Sequence, residues 1–111
     1  LIGDVKGRDV IIVDDEVDTG GSIAQAVNLA REKGALNIYV VFVHPVLSAD
    51  CMNRLAALPV TEFITTDTIP VSKEKLSVFK GRLTVLSVAP LLGEVIRRTN
   101  EGRSVGELFN E

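Results

Sequence analysis

The chain has 111 residues, 46% of them hydrophobic and 24% charged, with a net charge of −3. That length suits one domain around one core, so residues 1–111 are expected to form a single domain. A weakly acidic surface lacks the electrostatic footprint of a nucleic-acid binder. No stretch approaches the roughly 20 apolar residues of a membrane helix, so neither nucleic acid nor membrane is an expected partner.

Cys51 is the only cysteine, so no internal disulfide can form, which fits a reducing, cytoplasmic setting. Cys51 itself is expected to be a small apolar filler. No secretory leader is visible. The chain opens Leu1-Ile2-Gly3-Asp4-Val5, in the middle of an apolar word, and is expected to be a truncated piece.

In chain order, residues 9–13 are a β-branched run that reads as a buried strand. Residues 23–33 form a helix, with Ile23, Ala26, Val27 and Ala30 on one face and Gly34 as its stop. Residues 37–43 are a second strand, closed by His44-Pro45. Residues 48–58 are a helix with Ser48 or Asp50 as candidate caps and Pro59 beyond its end. Residues 60–65 are a third strand, and 66–75 a polar connection. Residues 83–88 are a fourth strand, 89–98 a helix with Pro90 in its first turn, and 104–109 a short terminal helix.

Strands alternate with helices, and no short hairpin signal joins two strands. The pattern predicts an α/β, Rossmann-like fold, with right-handed βαβ units, a parallel sheet of about four strands and helices on both faces. In such sheets ligands bind outside the carboxyl ends of the strands. The word Val13-Asp14-Asp15-Glu16-Val17-Asp18-Thr19-Gly20-Gly21-Ser22-Ile23 falls at that end of the first strand.

Its parts have different physical capacities. Gly20 and Gly21 let the backbone turn sharply and approach a ligand with no Cβ in the way. The amides of residues 19–22 lead into a helix N-terminus, where free N–H groups and the helix dipole favour an anion. Thr19 and Ser22 add hydroxyl donors. Hydrogen bonds to a charged group contribute about 1.5–3 kcal/mol each, so four or five suffice without Lys or Arg. Asp14, Asp15, Glu16 and Asp18 would repel a phosphate. They make sense if the ligand also presents hydroxyls, because carboxylates are strong acceptors. A metal on a sugar diphosphate would offset the remaining repulsion. The plainer reading is an acidic helix cap by Asp18 or Thr19, which leaves Gly20-Gly21 unexplained.

This word resembles the loop of the type I phosphoribosyltransferase family, with Ser22 where a Thr is commoner. The resemblance implies that Asp14 and Asp15, with Asp18 beside them, take ribose hydroxyls. It also implies that Thr19, Gly20, Gly21 and Ser22 take the 5-phosphate. Gly3-Asp4-Val5-Lys6-Gly7-Arg8, Thr66-Asp67-Thr68-Ile69-Pro70, the words spanning 86–98, and the ending Glu101-Gly102-Arg103-Ser104-Val105-Gly106-Glu107-Leu108-Phe109 are similar to the C-terminal part of the ribose-phosphate pyrophosphokinases. The similarity covers nearly all of the chain.

That resemblance implies transfer of diphosphate from ATP to the 1-hydroxyl of ribose 5-phosphate, with Mg²⁺, in a homo-oligomer. In that family the ATP pocket, the metal-binding His and Asp, and the flexible basic loop lie N-terminal to this region. No catalytic residue and no metal ligand is therefore expected here, and the chain alone is expected to be inactive. His44 is expected to be structural or to stand behind the site.

A non-catalytic regulatory relative and a base-specific phosphoribosyltransferase are the alternatives. The intact acidic and Gly-Gly positions weigh against the first, and the C-terminal words against the second. A response-regulator receiver domain shares Ile11-Ile12-Val13-Asp14-Asp15-Glu16. It lacks here the later phosphoacceptor Asp and the terminal Lys-Pro, since those strand ends read Val43-His44-Pro45 and Val88-Ala89-Pro90. No P-loop or dinucleotide fingerprint is present.

Overall fold

A computed structural model describes residues 3–48 and 50–109. Four strands, β1 (Val10–Val17), β2 (Ile38–Pro45), β3 (Glu62–Thr66) and β4 (Leu83–Leu86), form one parallel sheet in the order β1-β2-β3-β4. The helices are α1 (Gly21–Glu32), α2 (Cys51–Ala56), α3 (Lys73–Val78) and α4 (Ala89–Asn100), and a 3₁₀ turn closes at Gly106–Phe109.

The alternation of each strand decides where the core lies. Val10 and Ile12 of β1 pair with Ile38 and Val40 of β2, and Val40 pairs with Phe63 of β3. Those residues share one face. Against it pack Ile23, Val27 and Ala30 from α1, Cys51 and Leu55 from α2, and Phe79 at the end of α3. Phe63 and Phe79 meet edge to face with ring centres 5.3 Å apart, the arrangement that aromatic quadrupoles favour.

The α/β class is as expected, but the three helices that build this core lie on one face rather than both. Right-handed crossovers between strands taken in unbroken order all fall on the same side. The opposite face presents Ile11, Val13, Val43 and Leu86 to solvent, Val13 at 72% exposure. α4 has no buried residue. The radius of gyration, 16.6 Å, exceeds the roughly 13 Å of a compact domain of this length.

Several boundaries move. β1 runs four residues past Val13 and β2 takes in His44 and Pro45, because the ladder pairs Asp14 with Phe42, Glu16 with His44 and Val17 with Pro45. The connection expected over 66–75 ends in the first turn of α3, which runs on to Val78 and whose cap is Ser72 accepting the Lys75 amide at 3.2 Å. Neither Ser48 nor Asp50 caps α2 with its side chain: the Ser48 hydroxyl goes to Asp18 instead.

Arg82 ties α2 to the sheet. Its guanidinium donates to the carbonyls of Leu58 (3.2 Å), Val60 (2.7 Å) and Ala56, and lies 5.8 Å over the Phe63 ring. Arg82→Met keeps the apolar stem and strands those carbonyls, so it is expected to lower unfolding free energy by about 2–3 kcal/mol. Urea denaturation checks this, and an unchanged midpoint would show that water replaces the guanidinium without cost.

On α4, Glu94 bridges Arg97 and Arg98, and hydrogen bonds from Arg97 first, then Arg98, hold its carboxyl at about 2. A carboxyl depressed by folding stabilises above its unfolded value and loses that contribution as pH falls through the folded one. An NMR titration is expected to find Glu94 ionised at pH 3.5, where a free glutamate is mostly protonated. A midpoint near 4.3 would mean that the bridge does not form in solution.

Candidate functional site

The turn from β1 into α1 is built around Gly20, which adopts φ +81° and stands at the N-cap of α1. L-residues with a side chain avoid that region. Space is tight there as well. A Cβ on Gly20 would lie 3.1 Å from Leu55 Cδ2 and 3.8 Å from Cys51 Cβ. Helix α2 therefore packs directly on the glycine, and the buried Cys51 is part of that packing, in accord with its expected role. Burial pushes its thiol up, which suits a filler and not a nucleophile.

The segment between β2 and α2 holds the same turn from one side. Leu47 N donates to the Val17 carbonyl and Ser48 N to the Asp18 carbonyl, each at 3.0 Å, and the Ser48 hydroxyl donates to Asp18 Oδ1. One Asp18 oxygen is thus committed to shaping the loop. Arg54 of α2 donates from Nη1 to the Thr19 carbonyl at 3.1 Å. Sequence reasoning assigned no cation to this loop; Arg54 lies 35 residues away, and only the docking of α2 brings it there.

No side chain caps α1, and its first turn holds no acidic residue. The acidic-cap reading of Asp18 and Thr19 is therefore not what the chain adopts. The first intrahelical bond runs from Ala24 N to the Gly20 carbonyl at 2.9 Å, so the amides just before Ala24 face outward from the helix end, where an acceptor is wanted. They border a concavity of about 270 Å³ lined by the residues from Asp14 to Ile23. All seven residues picked from the sequence, Asp14, Asp15, Asp18, Thr19, Gly20, Gly21 and Ser22, line it.

At the acidic end, the Asp15 amide donates to Asp14 Oδ1 and the Glu16 amide to Asp15 Oδ1, both at 2.8 Å. Hydrogen bonding with the Asp14 side chain, then from the Glu16 amide, holds the Asp15 carboxyl below its ordinary value. It is an anion at neutral pH despite its neighbours. His44, one strand over, meets Thr68 Oγ1 through Nδ1 at 2.8 Å, and Thr68 Oγ1 donates to the Val43 carbonyl at 3.2 Å. The Thr68 contact orients the His44 ring beside the acidic end. Asp67 is tied to the next turn by the Val88 amide at 2.9 Å, which together with Ser87 keeps its carboxyl low.

Among the described residues no three His, Cys, Asp or Glu side chains converge as a metal site.

Residues 1–110 match the phosphoribosyl synthetase-associated domain family. The chain belongs to this family. It is similar to a ribose-phosphate pyrophosphokinase of Deinococcus radiodurans, at 45% identity over 109 residues, covering 98% of this chain and 34% of that protein. It is similar to another from Aquifex aeolicus at 41% over the same length and shares. A crystal structure of phosphoribosylpyrophosphate synthetase from Mycobacterium smegmatis superposes with a TM-score of 0.85 at 46% identity, covering 91% of this chain and 33% of that one. The chain spans about a third of the length of the relatives it matches.

Gly20→Ala should cost more than Gly7→Ala. Both glycines have positive φ, +81° and +70°, but nothing lies within 4 Å of a Cβ at Gly7. Backbone strain of about 1–2 kcal/mol is common to both, and the Leu55 contact adds to it only at Gly20. Thermal unfolding of the two variants reads the difference directly. Equal losses would mean that Leu55 yields freely and α2 does not define the turn.

Proposed function

We propose that this chain is the ribose 5-phosphate-holding part of a ribose-phosphate pyrophosphokinase, a cytoplasmic, Mg²⁺-dependent, homo-oligomeric enzyme of nucleotide biosynthesis. Such an enzyme moves diphosphate from ATP to the 1-hydroxyl of ribose 5-phosphate and releases AMP. The observation that carries the reading is the uncapped α1 N-terminus facing one concavity with the acidic end of β1.

The two ends of that concavity suit the two ends of a sugar phosphate. Amides of residues 20–22 and the hydroxyls of Thr19 and Ser22 give the phosphate oxygens donors at the positive end of α1. Asp14 and Asp15 give the ribose hydroxyls charged acceptors. A bare phosphate gains only from the first set and is repelled by the second. A diol without a phosphate gains only from the second. The loop thus selects a ligand carrying both, at a spacing fixed by the backbone between residues 15 and 20. Neither ATP nor an attacking group is held by these residues, so the chain by itself binds and orients one substrate.

The double substitution Asp14→Asn, Asp15→Asn separates the two ends. Each charged hydrogen bond lost to a ribose hydroxyl costs about 1.5–3 kcal/mol, so ribose 5-phosphate should bind tenfold or more weakly. Inorganic phosphate, relieved of two negative neighbours, should bind as well as before or better. Amide NMR titrations of both ligands, followed at Gly20, Gly21 and Ser22, give the two affinities. Parallel weakening of both ligands, or no change in ribose 5-phosphate, would mean that the carboxylates do not hold the sugar.

A further inference from the structure

We propose that Arg54 is the positioning residue of the phosphate loop, acting from behind it through the Thr19–Gly20 peptide. The proposal rests on the phosphate reading above and adds the group that makes the loop ready to bind. Arg54 Nη1 donates to the Thr19 carbonyl at 3.1 Å. The described chain has no cis peptide bond, and in a trans peptide the carbonyl and the following N–H point in opposite directions. By drawing the Thr19 oxygen toward α2, the guanidinium turns the Gly20 N–H away from α2. The concavity lies on that side: it is lined by residues of β1, the turn and α1, and by none from α2.

Gly20 has φ freedom on both sides of zero and would otherwise let this peptide rotate. Its neighbour offers little restraint, since a Cβ at Gly21 would meet only Arg54 Nη1 at 3.8 Å and Thr19 Oγ1 at 3.9 Å. A charged donor on the Thr19 oxygen favours one orientation of this peptide. It also places a positive charge at the back of a turn whose front carries several carboxylates. The guanidinium stays outside the concavity, so it touches no ligand and leaves the binding to the amides. Lysine would restore the charge and one donor without the planar fork that fixes direction.

The test uses the 111-residue protein, inorganic phosphate as the probe, and amide NMR. Wild type should show phosphate-dependent shifts at Gly20, Gly21 and Ser22. Arg54→Met should weaken phosphate about tenfold, remove the response of Gly20 while Ser22 still responds, and leave the melting temperature nearly unchanged. Arg54→Lys should fold like wild type and recover part of the affinity and of the Gly20 response. Wild-type affinity and a retained Gly20 response in Arg54→Met overturn the proposal while leaving the phosphate reading intact. So does an equal loss at every amide that lysine fails to repair, since that marks a general structural role. If Arg54→Met does not fold, Arg54→Lys decides alone, and an unaltered Gly20 response in it overturns the proposal. A wild-type loop that ignores phosphate overturns the phosphate reading, and this proposal with it.

Discussion

Leu55 pressed against Gly20 is the contact on which the rest of the loop depends. The left-handed turn at Gly20 has to exist for β1 to feed α1 at this angle, and Leu55 lies close enough to crowd any side chain placed there. Leu55 is fully buried among residues from α1, the β2–α2 segment and β3. The hydrophobic core and the loop geometry are therefore one packing problem. Hydrogen bonds from Leu47, Ser48 and Arg54 then fix the carbonyls of Val17, Asp18 and Thr19 in turn. Three consecutive carbonyls point toward the α2 side, which leaves the amides that follow them free to point the other way.

The acidic end is organised by a different device. Backbone amides of β1 residues donate to the carboxylate one residue earlier, and for Asp15 this helps to hold the carboxyl below its ordinary value. Among the described residues no salt bridge reaches them. Opposed to them, within one concavity, is the dipole of a twelve-residue helix. A ligand with hydroxyls at one end and negative charge at the other matches that gradient of potential along its length.

Much of this was legible from residues close in sequence. Strand, acidic word, glycine pair and helix follow one another without interruption, and periodicity with capping rules is enough to order them. The four-strand parallel sheet follows from alternation alone. Whatever depends on distant partners was not legible. Arg54 reaches Thr19 only after α2 docks, and Ser48 looks like a helix cap until Asp18 competes for its hydroxyl. β1 overran its expected end because Asp14 to Val17 are held by pairing with β2, not by strand propensity. α3 hid in a polar stretch because a six-residue helix gives too little periodicity to read. The one-sided placement of helices needed the strand order, which single-chain patterning does not contain.

Among the described residues strand β1 lies at an edge of the sheet, so one side of its backbone has no neighbouring strand there. Such an edge invites another strand, and its first half, Val10 to Val13, is an apolar β-branched word well suited to one. The second half carries Asp14, Asp15 and Glu16. Two copies approaching in parallel register would bring like carboxylates side by side over half the ladder. These acids make the edge repel its own kind, so a change that removed them would lower a barrier to self-association.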